Sequence, residues 1–374
     1  MWLSAEESLR RLGVKPQTLY ANVSRGRIAA RPDPADPRRS LYNRDDVDRL
    51  ARRAPGRRRD DAMAAEVIDW GEPVLASGIS TIIGGRLIYR GKDAADLAES
   101  ATLEEVAELL WDGFPVAKHA ARVGPGPAGI PRLMQMLAQR VGIDPPSNLT
   151  SSAILRERAA TLLAAIADAL MGPGEGGLHF RLAQHFEAPA AVEPLRMALV
   201  LLADHELNAS TFAARVAAST GASLAAGALA GLATLSGPLH GSAASETAVL
   251  AEEFVGEGDA ADVLRRWLGE RRKVPGFGHR LYPRGDVRAA TLLERIDVPP
   301  AYARLASAAW DVLEEAPNID FALAALSVTY RLPAQAPLEI FALARSVGWL
   351  AHMLEQANSG DHIRPRARYN GPVA

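Results

Sequence analysis

Gly237-Pro238-Leu239-His240-Gly241, Pro275-Gly276-Phe277-Gly278-His279-Arg280 and Pro317-Asn318-Ile319-Asp320-Phe321 decide the reading of this chain. They deliver two histidines and one carboxylate, spaced about forty residues apart. That spacing is too wide for a metal-ligand cluster on one helix, so the groups meet only if the fold brings separate segments together. Carbon-acid chemistry needs such a set. A carboxylate removes a proton beside a carbonyl, one imidazole hydrogen-bonds the developing enolate oxygen, and a second imidazole polarises the electrophile.

Around these stretches, 374 residues are enough for two or three domains with cores of their own. The net charge of −2 hides an asymmetry. Residues 1–59 hold 15 Lys+Arg against 7 Asp+Glu, a balance of +8, so the remainder carries 27 against 37, a balance of −10. A basic head on an acidic body points to a polyanion partner for the head, or to a solvated basic face. Cysteine is absent, which excludes disulfides and thiol catalysis and fits a reducing cytoplasm. Apolar runs such as Leu199–Ala203 stop well short of a membrane span, and Met1–Glu7 lack a positive region followed by an apolar stretch. The expectation is a soluble cytoplasmic protein with no membrane partner.

Ser4-Ala5-Glu6-Glu7 reads as a capping box opening a helix through Leu9 and Leu12, which Gly13 can end. Pro16 suits the first position of a second helix with Leu19 and Val23 on one face, and Gly26 follows it. Ile28, the turn-rich Pro32–Arg39 and Leu41-Tyr42 read as a hairpin or wing, and Asn43 caps a third helix, 44–53. Residues 54–64 form a charged linker. Ser80–Tyr89 alternates around Gly84-Gly85, the pattern of a tight hairpin. Beyond it, alanine-rich amphipathic stretches at Leu103–Trp111, Ile154–Leu170, Pro194–Ala203 and Phe212–Leu235 predict a mainly α body.

Read locally, His240 precedes a helix-like Ser242–Leu250, whose positive end disfavours imidazolium. The glycines of Pro275–Gly278 allow backbone to approach a ligand closely. Asp320 stands just before the apolar stretch Phe321–Val328, where position alone favours a helix N-cap.

With their flanks, the three stretches resemble the citrate synthase family, from roughly Trp70 to Gly371. Further pieces agree in order: Ala203-Asp204-His205-Glu206-Leu207-Asn208-Ala209-Ser210, Asp286-Val287-Arg288-Ala289, Phe341–Trp349 and Ile363-Arg364-Pro365-Arg366. The resemblance implies a two-domain helical fold, with a large domain over 65–240 and 333–374 and a small one over 241–332. It implies an acyltransferase that condenses acetyl-coenzyme A with oxaloacetate, or propionyl-coenzyme A in 2-methylcitrate synthases, in a homodimer with no metal and no resident cofactor. Carried over residue by residue, Asp320 is the base, His240 holds the enol oxygen and His279 meets the oxo carbonyl. His205, Arg288, Arg345 and Arg364 clamp oxaloacetate, and Arg364 enters the neighbouring subunit's site. Lys273, Val274, Pro275, Gly276, Phe277, Gly278 and Arg284 contact coenzyme A, which serves as co-substrate. One departure stands out: the family reads His-Gly-Gly-Ala-Asn where this chain has His240-Gly241-Ser242-Ala243-Ala244.

The first fifty residues resemble winged helix-turn-helix modules of the excisionase and MerR type. This implies a DNA-binding domain over 1–53, with Lys15, Gln17, Thr18 and Tyr20 near the start of the recognition helix and Arg38 and Arg39 at the wing tip, where phosphates are reached. The fusion leaves open a transcription regulator that senses citrate, oxaloacetate or acyl-coenzyme A through an enzyme-like body.

Overall fold

A computed structural model describes residues 2–12, 16–24, 28–33, 36, 40–44, 46–47, 75–116, 128–241, 243–257, 259–270, 274–367, 369 and 371. The chain divides into two compact units, one made of Met1–Ala76 with Arg366–Ala374 and the other of Ser77–Pro365.

In the first unit, β1 (Trp2–Leu3), α1 (Ala5–Leu12), α2 (Pro16–Ser24), β2 (Ala30–Pro32) and β3 (Ser40–Asn43) follow in order. The capping box is formed: Glu7 N donates to Ser4 Oγ at 3.2 Å and Ser4 N to the Glu7 carboxylate at 2.9 Å. The hairpin pairs Ala30 with Tyr42 and Pro32 with Ser40. Sequence reading missed β1, which adds Trp2-Leu3 to the other edge of β3 and gives the sheet order β1-β3-β2. Two residues carry no period, so that strand is invisible to pattern. Leu3, Leu12, Leu19, Ile28, Tyr42 and Val47 form the core, with Val23 packed against it. Gly13, Gly26, the linker and most of the 44–53 helix lie outside the described residues.

The second unit opens with β4 (Ser80–Ile83), β5 (Arg86–Tyr89) and β6 (Lys92–Asp93). Gly84 and Gly85, at φ 61° and 84°, supply the two left-handed positions that a two-residue hairpin turn demands. Helices follow: α3 (Ala94–Ala98), α4 (Leu103–Leu110), α5 (Ile130–Val141), α6 (Ser152–Met171), α7 (Leu178–His185) and α8 (Val192–Leu202). Then come α9 (Ala209–Ser219), α10 (Leu224–Leu235), α11 (Ala243–Glu257), α12 (Ala260–Gly269), α13 (Val287–Leu293), α14 (Pro300–Leu313), α15 (Ile319–Thr329) and α16 (Ala336–Ser359).

The stretch Phe212–Leu235 is not continuous. Gly221, at φ 79°, ends the α9 turn, and Ser223 caps a new helix by accepting from Ala226 N at 3.3 Å. The helix α16 is the spine, with α4, α6, α8, α9 and α10 against it; α11 packs on α14 and α15, and α13 on α15 and α8. One apolar core runs through both groups.

Candidate active site

His205 sits in the turn after α8, on a segment tied to β4. Glu206, at φ 49°, accepts from Ile82 N at 2.9 Å and Thr81 Oγ1 at 3.1 Å, and its own N donates to Ser80 Oγ at 2.9 Å. The His205 Nε2 lies 3.0 Å from the Tyr282 hydroxyl. Its ring centroid is 5.2 Å from that of His279, while Tyr282 is 5.0 Å from His279 and has the Arg288 guanidinium 5.2 Å over its face. Four side chains from three segments therefore enclose one spot.

Arg288, on the first turn of α13, is buried and bidentate to Asp286 at 2.9 and 2.7 Å. Asp286 also caps α13 and accepts from Ile319 N at 3.1 Å, which locks the start of α15 to the arginine. Burial pushes the Asp286 carboxyl up, but the Arg288 guanidinium outweighs it and holds it below its ordinary value. Arg345, on α16, is placed differently. Its Nε donates to the Leu202 carbonyl at 2.9 Å, its guanidinium lies 4.7 Å over Phe341, and its buried Nη2 has no hydrogen-bond partner among the described residues. Burial lowers its pKa to about 10, so it keeps its charge at neutral pH.

Phe341 also meets His240 edge-on at 5.8 Å. Burial, and then the charge of Arg345, push His240 down to about 4. The same causes act on His205: burial first, then Arg288 and Arg345, hold it well below its ordinary 6.5. Both rings are neutral in the free protein. Helix position alone predicts a neutral His240 for a different reason, and burial beside a guanidinium is the one observed. Ser210 Oγ lies 2.9 Å from His240 Nε2, 2.9 Å from Asn208 Oδ1 and 3.2 Å from Trp349 Nε1. The indole only donates, so the hydroxyl proton goes to the imidazole or to the amide oxygen, and that choice sets which nitrogen of His240 carries hydrogen. For His279 the choice is made by the backbone. Leu281 N donates to Nδ1 at 3.1 Å, leaving the proton of the neutral ring on Nε2.

The loop 274–279 is zipped to the segment leading into α15: Gly278 N donates to Ala316 O, and Asn318 N to Gly276 O, each at 2.9 Å. Asn318 Nδ2 adds a bond to Gly278 O at 3.1 Å. Val274, Pro275, Gly276 and Phe277 are buried. Gly276 has φ 84°, and a Cβ there would come within 2.7 Å of Thr247, so protein contacts already demand the glycine. Asn318, not Asp320, is the N-cap of α15, accepting from Asp320 N at 3.0 Å and Phe321 N at 3.4 Å. The capping role that position suggested for Asp320 is therefore taken, and its half-buried carboxylate stands in the first turn.

The remaining expected contacts are more dispersed. Arg284 is exposed and donates to the Gly84 carbonyl at 3.2 Å, beside a cleft of about 490 Å³ lined by Ile82, Glu206 and Tyr282 among others. Arg364 is exposed on the segment after α16 and makes no hydrogen bond or ion pair among the described residues. Lys273 and Ser242 lie outside the described residues, as do Lys15, Arg38 and Arg39 of the first unit; Ala244 is buried. Thr18 and Tyr20 are exposed on α2, which also carries Gln17. Sequence reasoning gave no role to Tyr282, Asp286, Asn318 or Ser210. The Asp-x-Arg step before α13 and Asn two residues before Asp320 are N-cap signals that would have found two of them.

The mainly helical body brings the rings of His205 and His279 and the guanidinium of Arg288 against Tyr282, and His240 and Arg345 against Phe341, a set of groups suited to a carbon–carbon condensing enzyme. A model of the citrate synthase C-terminal domain matches residues 148–366. Citrate synthase 2 of Bacillus subtilis (strain 168) is 32% identical over 352 residues, covering 81% of this chain and 95% of that protein. The 2-methylcitrate synthase of Shewanella oneidensis is 32% identical over 349 residues, covering 80% and 92%. The crystal structure of citrate synthase from Thermotoga maritima MSB8 superposes with a TM-score of 0.64 at 26% identity, over 81% of this chain and 95% of that one. The chain belongs to the citrate synthase family, and the body has its fold and its type of condensing, acyl-transferring activity.

Proposed function

We propose that this chain condenses acetyl-coenzyme A with oxaloacetate and hydrolyses the product to citrate and coenzyme A. The observation that carries the oxo-acid half is the buried Nη2 of Arg345, a charged donor with no partner, in a pocket shared with Arg288 and His205. A substrate carboxylate satisfies it, because an ionised acceptor gives the strongest bond such a donor can make. His279, with Nε2–H, donates to the oxo carbonyl and makes its carbon electrophilic. Asp320 takes a proton from the methyl group of acetyl-coenzyme A. His240, in the tautomer in which Ser210 turns its hydroxyl from Asn208 Oδ1 to donate to Nε2, gives its Nδ1–H to the thioester oxygen as the enol forms. The enolic carbon attacks the oxo carbon, a proton passes to the new alkoxide, and water cleaves the thioester to release the thiol and the carboxylate.

Coenzyme A is a co-substrate in this reading, held by the 274–278 loop with Lys273 and Arg284. The domains divide as large (65–240, 333–374) and small (241–332), and a homodimer completes each site with the other subunit's Arg364. The equal identity to a 2-methylcitrate synthase supports propionyl-coenzyme A as a second substrate. Steady-state release of coenzyme A from acetyl- and propionyl-coenzyme A with oxaloacetate tests both. Turnover with neither sinks the assignment, and the ratio of kcat/KM values ranks the substrates.

The first unit is read as a winged helix-turn-helix that binds duplex DNA in the cytoplasm, through the exposed Thr18 and Tyr20 of α2 together with Lys15, Gln17, Arg38 and Arg39. The +8 balance of residues 1–59 supports this. Fluorescence anisotropy with a genomic fragment pool is expected to show binding that weakens steeply with salt, by about 0.9 in log K per log salt for each phosphate neutralised. No binding at low salt returns the unit to a protein-docking role, and binding that changes with citrate or acyl-coenzyme A favours a regulator.

A further inference from the structure

Behind the oxo-acid pocket stands a wholly buried carboxylate that the chemistry above does not use. Asp204 Oδ2 accepts from Ser80 Oγ and, at 3.2 Å, from His352 Nε2, while Oδ1 has no hydrogen-bond partner among the described residues. Nδ1 of His352 lies 3.2 Å from Nη1 of Arg215, which only donates, so the imidazole proton sits on Nε2 and points at Asp204. Arg215 is held in turn by Gln356 and Glu355, each at 2.7 Å. The backbone is fixed as well: Tyr89 hydroxyl donates to Asp204 O at 3.1 Å, and a Cβ on Gly348 would collide with Oδ1. Burial pushes the Asp204 carboxyl up, but His352, Arg345 and Ser80 outweigh it, and the group stays ionised.

The two pocket guanidiniums keep different company. Arg288 is neutralised in contact by Asp286. Arg345 has no ion pair within 4 Å among the described residues, yet it is 1% exposed. Asp204 abuts the next turn of the same helix, where a Cβ on Gly348 would collide with its Oδ1 and Gly348 N donates to Ala203 O at 3.0 Å; burial pulls the guanidinium down, and the negative charge of Asp204 opposes that pull. A buried cation with no countercharge is strongly unfavourable, whereas a contact pair would occupy the donors a substrate needs.

We propose that Asp204 is a positioning residue acting through Arg345: it is a standing counter-ion that holds the guanidinium in the empty pocket while leaving Nη2 open for a substrate carboxylate. This rests on Arg345 being an oxo-acid ligand. The sign of the effect is distinctive. The Asp204 carboxylate repels an incoming dicarboxylate, so it weakens substrate affinity while it stabilises the empty site. A structural anchor has the opposite signature, since its loss weakens binding.

Asp204→Asn keeps the shape and removes the charge. Ser80→Ala loosens the tie to β4 and keeps the charge. For Asp204→Asn, the Tm without ligand is expected to fall, the rise of Tm on adding oxaloacetate to widen, and KM for oxaloacetate to fall about two- to tenfold, the scale of one buried charge at an effective dielectric near 20. For Ser80→Ala, KM does not fall. An unchanged or raised KM in Asp204→Asn, with no wider rise of Tm, overturns the proposal. If Asp204→Asn alone does not fold, the double variant with Arg345→Met decides: removing the guanidinium removes the need for its counter-ion, so the double variant folds with the higher Tm. A double variant no more stable than the single one overturns the proposal. Absence of any oxaloacetate-induced shift in the unmodified protein counts against Arg345 as a ligand, and the double-variant comparison, which uses no ligand, then judges Asp204 separately.

Discussion

Replacing Asp320 with Asn is expected to separate catalysis from folding. The N-cap of α15 is Asn318, whose Oδ1 takes the amides of Asp320 and Phe321 at 3.0 and 3.4 Å, so the substitution leaves the cap intact. From the helix the fold loses a negative charge in the first turn, worth about 0.3–1 kcal/mol. If Asp320 is the base proposed above, the reaction is expected to lose about 10²–10⁴ in kcat, or roughly 2.7–5.4 kcal/mol in the barrier. The two scales differ by several-fold, so one variant can show a large kinetic defect on an almost unchanged fold.

The assay is release of coenzyme A at saturating oxaloacetate, alongside a calorimetric scan of the same sample. Tm is expected within about 3 °C of the unmodified protein, since a loss near 1 kcal/mol moves a large domain by only a few degrees. KM for oxaloacetate should hold, because the role proposed for Asp320 is on the other substrate. Asn318→Ala gives the reverse pattern on stability: it removes the cap and the bond to Gly278 O at 3.1 Å, for about 1–2 kcal/mol. A kcat for Asp320→Asn within threefold of normal would refute Asp320 as the base. A loss of activity matched by a collapse of Tm would refute the claim that the residue is kinetically rather than structurally needed.

The neutral His240 carries a pH signature: its pKa of about 4 lies below the ordinary 6.5, so its contribution to stability is full above pH 6.5 and lost as pH falls through 4, by up to about 3 kcal/mol. Urea unfolding at pH 7.5, 5.5 and 4.5 should show that fall, with a flatter dependence in His240→Gln; equal slopes would count against a depressed His240. Gly276→Ala places a Cβ at φ 84° within 2.7 Å of Thr247, for a loss of about 2–4 kcal/mol read as a lower urea midpoint, and an unchanged midpoint would mean the loop is not packed as described. Arg364→Ala and Asp320→Asn, each inactive alone, should recover up to about a quarter of normal activity when co-refolded, since half of randomly paired dimers are mixed and each has one intact site of two. Mixed dimers seen by mass spectrometry that stay inactive exclude action in trans.

Much of this was legible in the sequence where a residue type and a local period coincide. The hairpin at Gly84-Gly85, the capping box at Ser4, and the helices around Leu103, Ile154 and Pro194 follow from short-range rules, and the structure keeps them. The break at Gly221 was missed because alanine-rich sequence on both sides satisfies helix propensity, and only the need to turn α10 back along α9 overrides it. At the site, His205, His279 and Arg288 were readable as residue types, but Tyr282 between them was not. A tyrosine carries no spacing signal, and its role comes from contacts to three segments at once. Asp204 was hidden for the same reason: its partners Ser80 and His352 are 124 and 148 residues away.

The pocket also explains why its permanent charges are arginines. Burial drags Arg345 down to about 10, which still leaves it fully charged at neutral pH. A lysine starts near ~10.4, and the same downward pull would bring it to about 8, where part of the population is uncharged. The neighbouring histidines yield to the same pull: burial first, and then the charge of Arg345, with Arg288 added at His205, hold His205 and His240 below their ordinary value. Charge and neutrality in the cluster therefore have one origin. The groups that cannot lose a proton supply the fixed field for carboxylates, and that field, together with burial, keeps the imidazoles in the neutral form in which each ring has one nitrogen to donate and one to be held. Asp286 and Asp204 set how much of the field remains. One cancels Arg288 in contact, while the other acts on Arg345 without touching its Nη2, so the cation left open is the one that a substrate carboxylate can complete.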